Sequence, residues 1–312
     1  MGGAMLSGPS LSLCRMWKRL AGLVLCVAIG LTACGGEDPP SDKAGAGSRF
    51  GGPFADAKAY PVFASTEIVV GTNRFLVGLL DDNDAPIGSA DIDMHIEFYD
   101  RARSETEPVF GADMEFIETI PGERGLYMTT ADFDSAGKWG AEVTVTGDGL
   151  DETVNAAFDV APKGTTPAIG APAPASDTLT ARDADDLSAI STDTHPDPDF
   201  YRVSIKDALA RGQAFVVVFA TPKYCESRTC GPTVETVDAV RRDLISSPVR
   251  WIHVEIYEDN DPAKGTNEWV KQWNLPSEPW VFVVDEQGVI RAKFEGAVSK
   301  DELEQAVRSH LL

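Results

Sequence analysis

Between residues 61 and 161, apolar and polar positions alternate in short runs. The alternation is carried by "EIVVG" (67–71), "NRFLVGLL" (73–80), "ADIDMHIEFYD" (90–100), "DMEFIET" (113–119) and "AEVTVTG" (141–147). Turn residues lie between them in "DDNDAPIG" (81–88) and "DSAGKWG" (134–140). A period of two sends alternate side chains to opposite faces of a strand, one inward and one to water. Asp, Asn, Gly and Pro then close the turns. Many short strands with frequent turns predict an all-β sandwich domain over 61–161.

From Asp199 the pattern changes. Ser204 can cap a helix over "IKDALA", which Gly212 ends. "AFVVVFA" (214–220) is continuously apolar, as in a strand buried on both faces. Val234, Val237, Val240 and Leu244 recur at helical spacing. "RWIHVEI" (250–256) reads as a strand and "TNEWVKQW" (266–273) as a short helix. "WVFVV" (280–284) and "VIRAKF" (289–294) flank the turn "DEQG". Ser299 and Glu302 form a capping box before a helix whose apolar face is Leu303, Ala306, Val307 and Leu311. This order predicts an α/β domain over 199–312, a mixed sheet with helices on both faces.

Two stretches lack either period. Residues 35–60, rich in Gly and Pro, read as a flexible tether. Residues 162–198, with "PKGTTPAIGAPAPASD", read as a Pro/Ala-rich linker separating the two domains. The first 34 residues read as an address. Arg15, Lys18 and Arg19 precede the apolar run Leu20–Ala33, which is shorter than the ~18 residues of a spanning helix. The run ends in "LTAC", similar to the lipobox of bacterial lipoproteins. That resemblance implies cleavage before Cys34, lipid on Cys34, and a protein held at the cell envelope on the extracytoplasmic face. Translation is expected to start at Met16 or Met5.

The net charge of -22 excludes a nucleic-acid partner, because phosphate binding needs a basic face. Of five cysteines, Cys14 and Cys26 fall in the leader and Cys34 in the lipobox. Cys225 and Cys230 remain in the exported body, where disulfides persist. In "TPKYCESRTCGPT" they can be a redox couple, a metal site or a structural staple. Cys230 precedes a helix that Pro232 can start. A thiolate there meets free backbone N–H groups and the positive helix end. Such settings lower a thiol pKa from about 8.5 to roughly 3.5–7.5.

The second domain resembles thioredoxin. "TCGPT" is similar to the family's Cys-Gly-Pro-Cys, which implies Cys230 as nucleophile. "NLPSEPWVFVVDEQGVI" resembles the segment around the family's cis-proline, which implies that Pro279 shapes the substrate-binding surface. "FEGAVSKDELEQAV" matches the family's glycine and last helix. The pattern departs from the family at three places. Thr233 replaces the resolving cysteine, so Cys225 must resolve; Val218 replaces the buried aspartate; Thr229 replaces the preceding tryptophan. The first domain, with "RGLYMTTADFDSAGKWGAEVTV", resembles small immunoglobulin-like exported modules of the YtkA type.

These features together suggest an extracytoplasmic thiol–disulfide oxidoreductase without a cofactor. Its partners would be exported proteins with thiols or disulfides, a redox partner that restores the pair, and the membrane through the lipid. A non-catalytic binding module and a copper-handling protein similar to the Sco type are the alternatives. For the latter, His195, His253 and His310 are the candidate ligands, but nothing brings them to the thiols; the pair Met94–His95 reads as packing or surface, and the expected metal set is none. A peroxiredoxin-like reading, with Cys225 attacking, wants a threonine where Pro222 stands.

Overall fold

The computed structural model describes residues 48–312 except 52–56, 121, 123 and 226. The leader, Cys34 and most of the 35–60 tether lie outside the described residues.

The first domain is all β. Its strands are β1 (Ala59–Phe63), β2 (Gly71–Asp81), β3 (Asp93–Asp100), β4 (Phe110–Ile120), β5 (Arg124–Phe133), β6 (Gly137–Gly147) and β7 (Leu150–Val160). They form one antiparallel sheet in the order β1-β2-β5-β4-β3-β6-β7. β4 changes partner midway: Phe110–Met114 pair with β3, and Glu115–Ile120 pair with β5. The sheet therefore folds over itself around one core. Phe75 and Phe98 stand 5.1 Å apart edge to face, Phe98 and Phe133 5.3 Å, and Phe133 and Trp139 4.9 Å. The motif glycines have local reasons. A Cβ on Gly125 would overlap the Phe116 ring, which packs on Tyr127. Gly137 has φ 138°, a region closed to other residues, and starts the strand that buries Trp139.

"EIVVG" is not a strand. The side chain of Asn73 accepts from the Val69 N–H (2.8 Å) and donates to the carbonyls of Val69 (2.7 Å) and Gly71 (2.6 Å). This local pairing displaces a ladder, leaving a single bridge from Val69 to Ala161. Part of the expected tether is also fixed: Phe50 is buried against Tyr99, with ring centroids 5.1 Å apart.

The second domain contains α1 (Ile205–Ala210), β8 (Phe215–Phe219), α2 (Cys230–Asp243), β9 (Arg250–Val254), α3 (Glu268–Gln272), β10 (Trp280–Val284), β11 (Ile290–Glu295) and α4 (Lys300–Leu311). The sheet order is β11-β10-β8-β9, with β8 and β9 parallel and the other pairs antiparallel. β8 is apolar throughout because it faces two cores. Val216 and Val218 point into one core with α2 and α4, whereas Phe215, Val217 and Phe219 point into the other with α1 and α3. The capping box of α4 forms as expected, Ser299 Oγ accepting from the Glu302 N–H (3.2 Å) and Glu302 from the Ser299 N–H (3.0 Å).

Residues 162–198 are a strap rather than the expected spacer. Pro172 bridges to Val289 beside β11, and the Ala173 N–H donates to Gly288 O (2.9 Å). Ser176 is fully buried, accepting from Trp273 Nε1 (3.1 Å), and Ile190 enters the core under α2. Its prolines keep the first part of this stretch out of helix and ladder, and the rest forms only a short 3-10 turn at Leu187–Ala189. Its small residues and free carbonyls nevertheless let it lie flush along a neighbour that completes its hydrogen bonds.

The two domains are in contact. Arg74 of β2 donates to both carboxylate oxygens of Glu302 (2.7 and 3.0 Å) and to the carbonyls of Glu295 (3.1 Å) and Ala297 (2.9 Å). Burial alone would raise the Glu302 carboxyl, but Arg74 and the Ser299 N–H outweigh it and hold it below the ordinary range. Glu67 pairs with Lys293 (2.6 Å) and accepts from the Thr165 and Thr166 N–H groups of the strap (2.6 and 2.9 Å). Its carboxyl is likewise lowered: burial works upward and is outweighed by Lys293 and Thr166.

Candidate functional site

Strand β8 ends at Phe219, and the chain then runs through a loop to α2, which begins at Cys230. This is where α/β sheets place their chemistry, since strand ends and helix starts converge there. Cys225 and Cys230 lie at disulfide distance, with Cα atoms 5.9 Å apart. Arg228, at φ 62°, takes the left-handed turn that brings the loop back, and its N–H donates to Cys225 O (3.2 Å).

The two sulfurs differ. Cys230 is fully buried and packs in the core with Val218 and Val234, whereas Cys225 is half-buried at the surface. The Cys230 N–H, the first of α2, points at Cys225 Sγ (3.3 Å). The Ser227 hydroxyl lies 3.2 Å from the same sulfur and 2.7 Å from the Thr229 hydroxyl. The helix start thus directs its donor at Cys225, and the accessible sulfur is also that of Cys225. Thr229 makes no side-chain cap to α2. Thr233 is buried one turn below Cys230, its hydroxyl without a hydrogen-bond partner.

Pro279 follows a cis peptide bond from Glu278, and its carbonyl accepts from the Gly296 N–H (2.8 Å). The loop before it brings Glu278 to the cysteines. A Glu278 carboxylate oxygen and both sulfurs all lie within 4.8 Å of one another. Nothing in the sequence pattern singles out Glu278. Its only local signal is its place just before Pro279, in a segment far along the chain from the cysteines.

No histidine joins this group among the described residues. His253 is buried with Nδ1 2.7 Å from the Tyr201 hydroxyl and Nε2 3.0 Å from Ala220 O. His195 is near Thr194 (3.1 Å), and His310 is exposed in the last turn of α4. Met94 is in the β core, while its neighbour His95 faces outward to Asp113 (2.7 Å), so this pair cannot share an ion.

Beside the site lies a cavity of about 400 Å³ between the domains. Val62, Leu80 and Leu126 form an apolar wall from the β domain, and Ser227, Thr229 and Glu278 form the wall toward the cysteines. The β domain also contacts the loop before Pro279 directly: Thr66 Oγ1 lies 3.3 Å from Ser277 Oγ, and Ser277 donates to Glu295 (3.0 Å).

The second domain is a thioredoxin-like domain, with residues 201–310 matching the family model described as "Thioredoxin-like domain". It follows an all-β domain. A solved thiol:disulfide interchange protein of the thioredoxin family from Chlorobium tepidum TLS is 19% identical, over 33% of this chain and 82% of that one, with a TM-score of 0.28. The Lin-41 filamin domain is 16% identical, over 36% of this chain and 99% of that one, with a TM-score of 0.20. No curated protein matches the chain.

Proposed function

We propose that the protein is a lipid-anchored, extracytoplasmic thiol–disulfide oxidoreductase acting on exported proteins. The observation that carries the reading is the cysteine pair at disulfide distance, at the start of α2 and beside the cis-proline Pro279. The roles proposed for the two thiols are opposite to those the sequence suggests. Cys225 attacks, because its sulfur is accessible and receives the Cys230 N–H. Cys230, buried beneath it, resolves.

In the reducing direction the Cys225 thiolate attacks one sulfur of a substrate disulfide and expels the other as a thiolate. Cys230 loses its proton to solvent and attacks Cys225 Sγ. The second substrate thiolate leaves, and Cys225–Cys230 is oxidised as two electrons pass to the substrate. The reverse sequence oxidises a dithiol, and the relative potentials set the direction. Pro279 and the apolar wall of the cavity would receive the chain around the substrate cysteine. Cys34, outside the described residues, would carry the lipid. An anchor and a second domain beside the site suit a protein working at a membrane surface.

Alkylation of the reduced protein against pH, on each single Cys→Ser variant, tests the assignment. Cys225 is expected to react at lower pH than Cys230, and Cys230→Ser to trap mixed disulfides with exported proteins. If neither thiol reacts below about pH 8.5 and the pair resists reduction to below about -300 mV, the disulfide is a staple and the reading fails.

A further inference from the structure

We propose that the reduced Cys225–Cys230 pair, together with Glu278, binds a divalent metal ion of the zinc class. This goes beyond thiol–disulfide exchange and does not depend on it. The observation is the convergence of three donors from two separate segments: both sulfurs and a Glu278 oxygen lie within 4.8 Å of one another. Around a tetrahedral zinc, with bonds of about 2.3 Å to sulfur and 2.0–2.2 Å to oxygen, ligand atoms stand roughly 3.5–3.8 Å apart. Reduction breaks the bond between the sulfurs and makes both available as ligands at that spacing.

The chemistry of the donor set selects the ion. Two thiolates exclude magnesium and calcium, which take oxygen ligands. Monovalent copper is satisfied by soft sulfur and has no use for a carboxylate. A borderline ion such as zinc accepts both donor types, and three protein ligands leave a fourth position open. Glu278 also lines the interdomain cavity, from which water can fill that position. The surroundings support the thiolates: the Cys230 N–H lies 3.3 Å from Cys225 Sγ, the Ser227 hydroxyl lies 3.2 Å from it, and Cys230 opens the 14-residue helix α2.

Binding requires both sulfurs as thiolates, so each one still protonated releases its proton, and Glu278 enters as the carboxylate. Oxidation of the pair by a disulfide acceptor, which takes the two electrons, removes both sulfur ligands and ejects the ion. The site therefore holds metal in the dithiol state alone.

The test uses the full chain, reduced with a phosphine and titrated with Co²⁺ without oxygen, then with Zn²⁺ as competitor. One ion per chain is expected, with thiolate-to-cobalt charge transfer and the visible bands of a tetrahedral site, both displaced by zinc. The oxidised protein, Cys225→Ser and Cys230→Ser should show neither. Glu278→Gln should weaken binding by about tenfold or more. Glu278→Asp, which keeps the charge, should bind more tightly than Glu278→Gln. Glu235→Gln, an exposed carboxylate on α2, should match the wild type. An unchanged melting temperature of oxidised Glu278→Gln shows that the variant folds. Absence of the bands in the reduced protein overturns the proposal, as does equal affinity of the wild type, Glu278→Gln and Glu278→Asp. Thiol reactivity and potential, measured without metal, decide the exchange reading separately.

Discussion

The two domains bury their strands differently. In the β domain a folded sheet encloses one core, so most strands alternate: β3 buries Met94, Ile96 and Phe98 and leaves Asp93 and His95 exposed. In the thioredoxin-like domain the sheet lies between two cores, and β8 and β10 are buried at every position. β2 belongs to the first domain yet behaves partly like the second. Phe75, Val77 and Leu79 enter the β core, while Leu76, between them, is also buried because it faces the cavity and Gly296. Loss of alternation in an otherwise alternating domain thus marks a face that a further segment covers: the second domain over Leu76, and Phe50 over Tyr99 at the end of β3. The thioredoxin-like domain brings the chemistry, and the β domain supplies a wall next to it.

The largest effects are expected in the two cores. Phe98→Ala and Phe282→Ala are each expected to cost about 3–5 kcal/mol in denaturant unfolding. Phe282 belongs to the core of the thioredoxin-like sheet and Phe98 to the β core. Only Phe282→Ala should alter the alkylation rate of the cysteines in the folded protein. An equal response to both would mean that the domains are one mechanical unit.

A smaller effect is expected at the join. Arg74→Met removes hydrogen bonds to a carboxylate and two carbonyls across the interface. It should cost about 1.5–3 kcal/mol, the range for hydrogen bonds to charged groups. It should also raise protease sensitivity of the β1–β2 region while leaving the thiols at their wild-type potential. A wild-type melting curve would show that the join is held by its other contacts, Glu67–Lys293 among them, and not by Arg74.

The smallest effect is a pH dependence. Glu67 and Glu302 both lie at the join, and both carboxyls are held below their ordinary value of 4.5. A carboxyl lowered by folding contributes stability that is present above its unfolded value and lost as pH falls through its folded one. Unfolding therefore takes up protons in this window, and stability should rise with pH from strong acid to about 4.5. Melting temperatures across that range should show the slope, and Arg74→Met should flatten it. A slope unchanged in Arg74→Met would place the responsible groups elsewhere.

Local rules made much of this protein legible in its sequence. The Ser299–Glu302 box, the helical spacing of Val234, Val237 and Val240, and the apolar run of β8 depend on neighbours within one element, so sequence alone determines them. The same holds for the Cys225–Cys230 pair, whose short loop fixes its proximity. Other features were decided by contacts between distant residues. "EIVVG" has strand composition, yet the side chain of Asn73 takes its hydrogen bonds. The strap over 162–198 has linker composition, yet its polar groups find partners along the second domain. The sequence points to Cys230 as the reactive thiol because it begins a helix; folding buries that sulfur and aims the helix N–H at Cys225. Glu302 is readable as a cap but not as the partner of Arg74, and Glu278 is readable as a neighbour of Pro279 but not of the cysteines. A periodic pattern records which face of an element is buried. The partner on that face, and the side chain that arrives from another segment, are set when the sheets close and the domains meet.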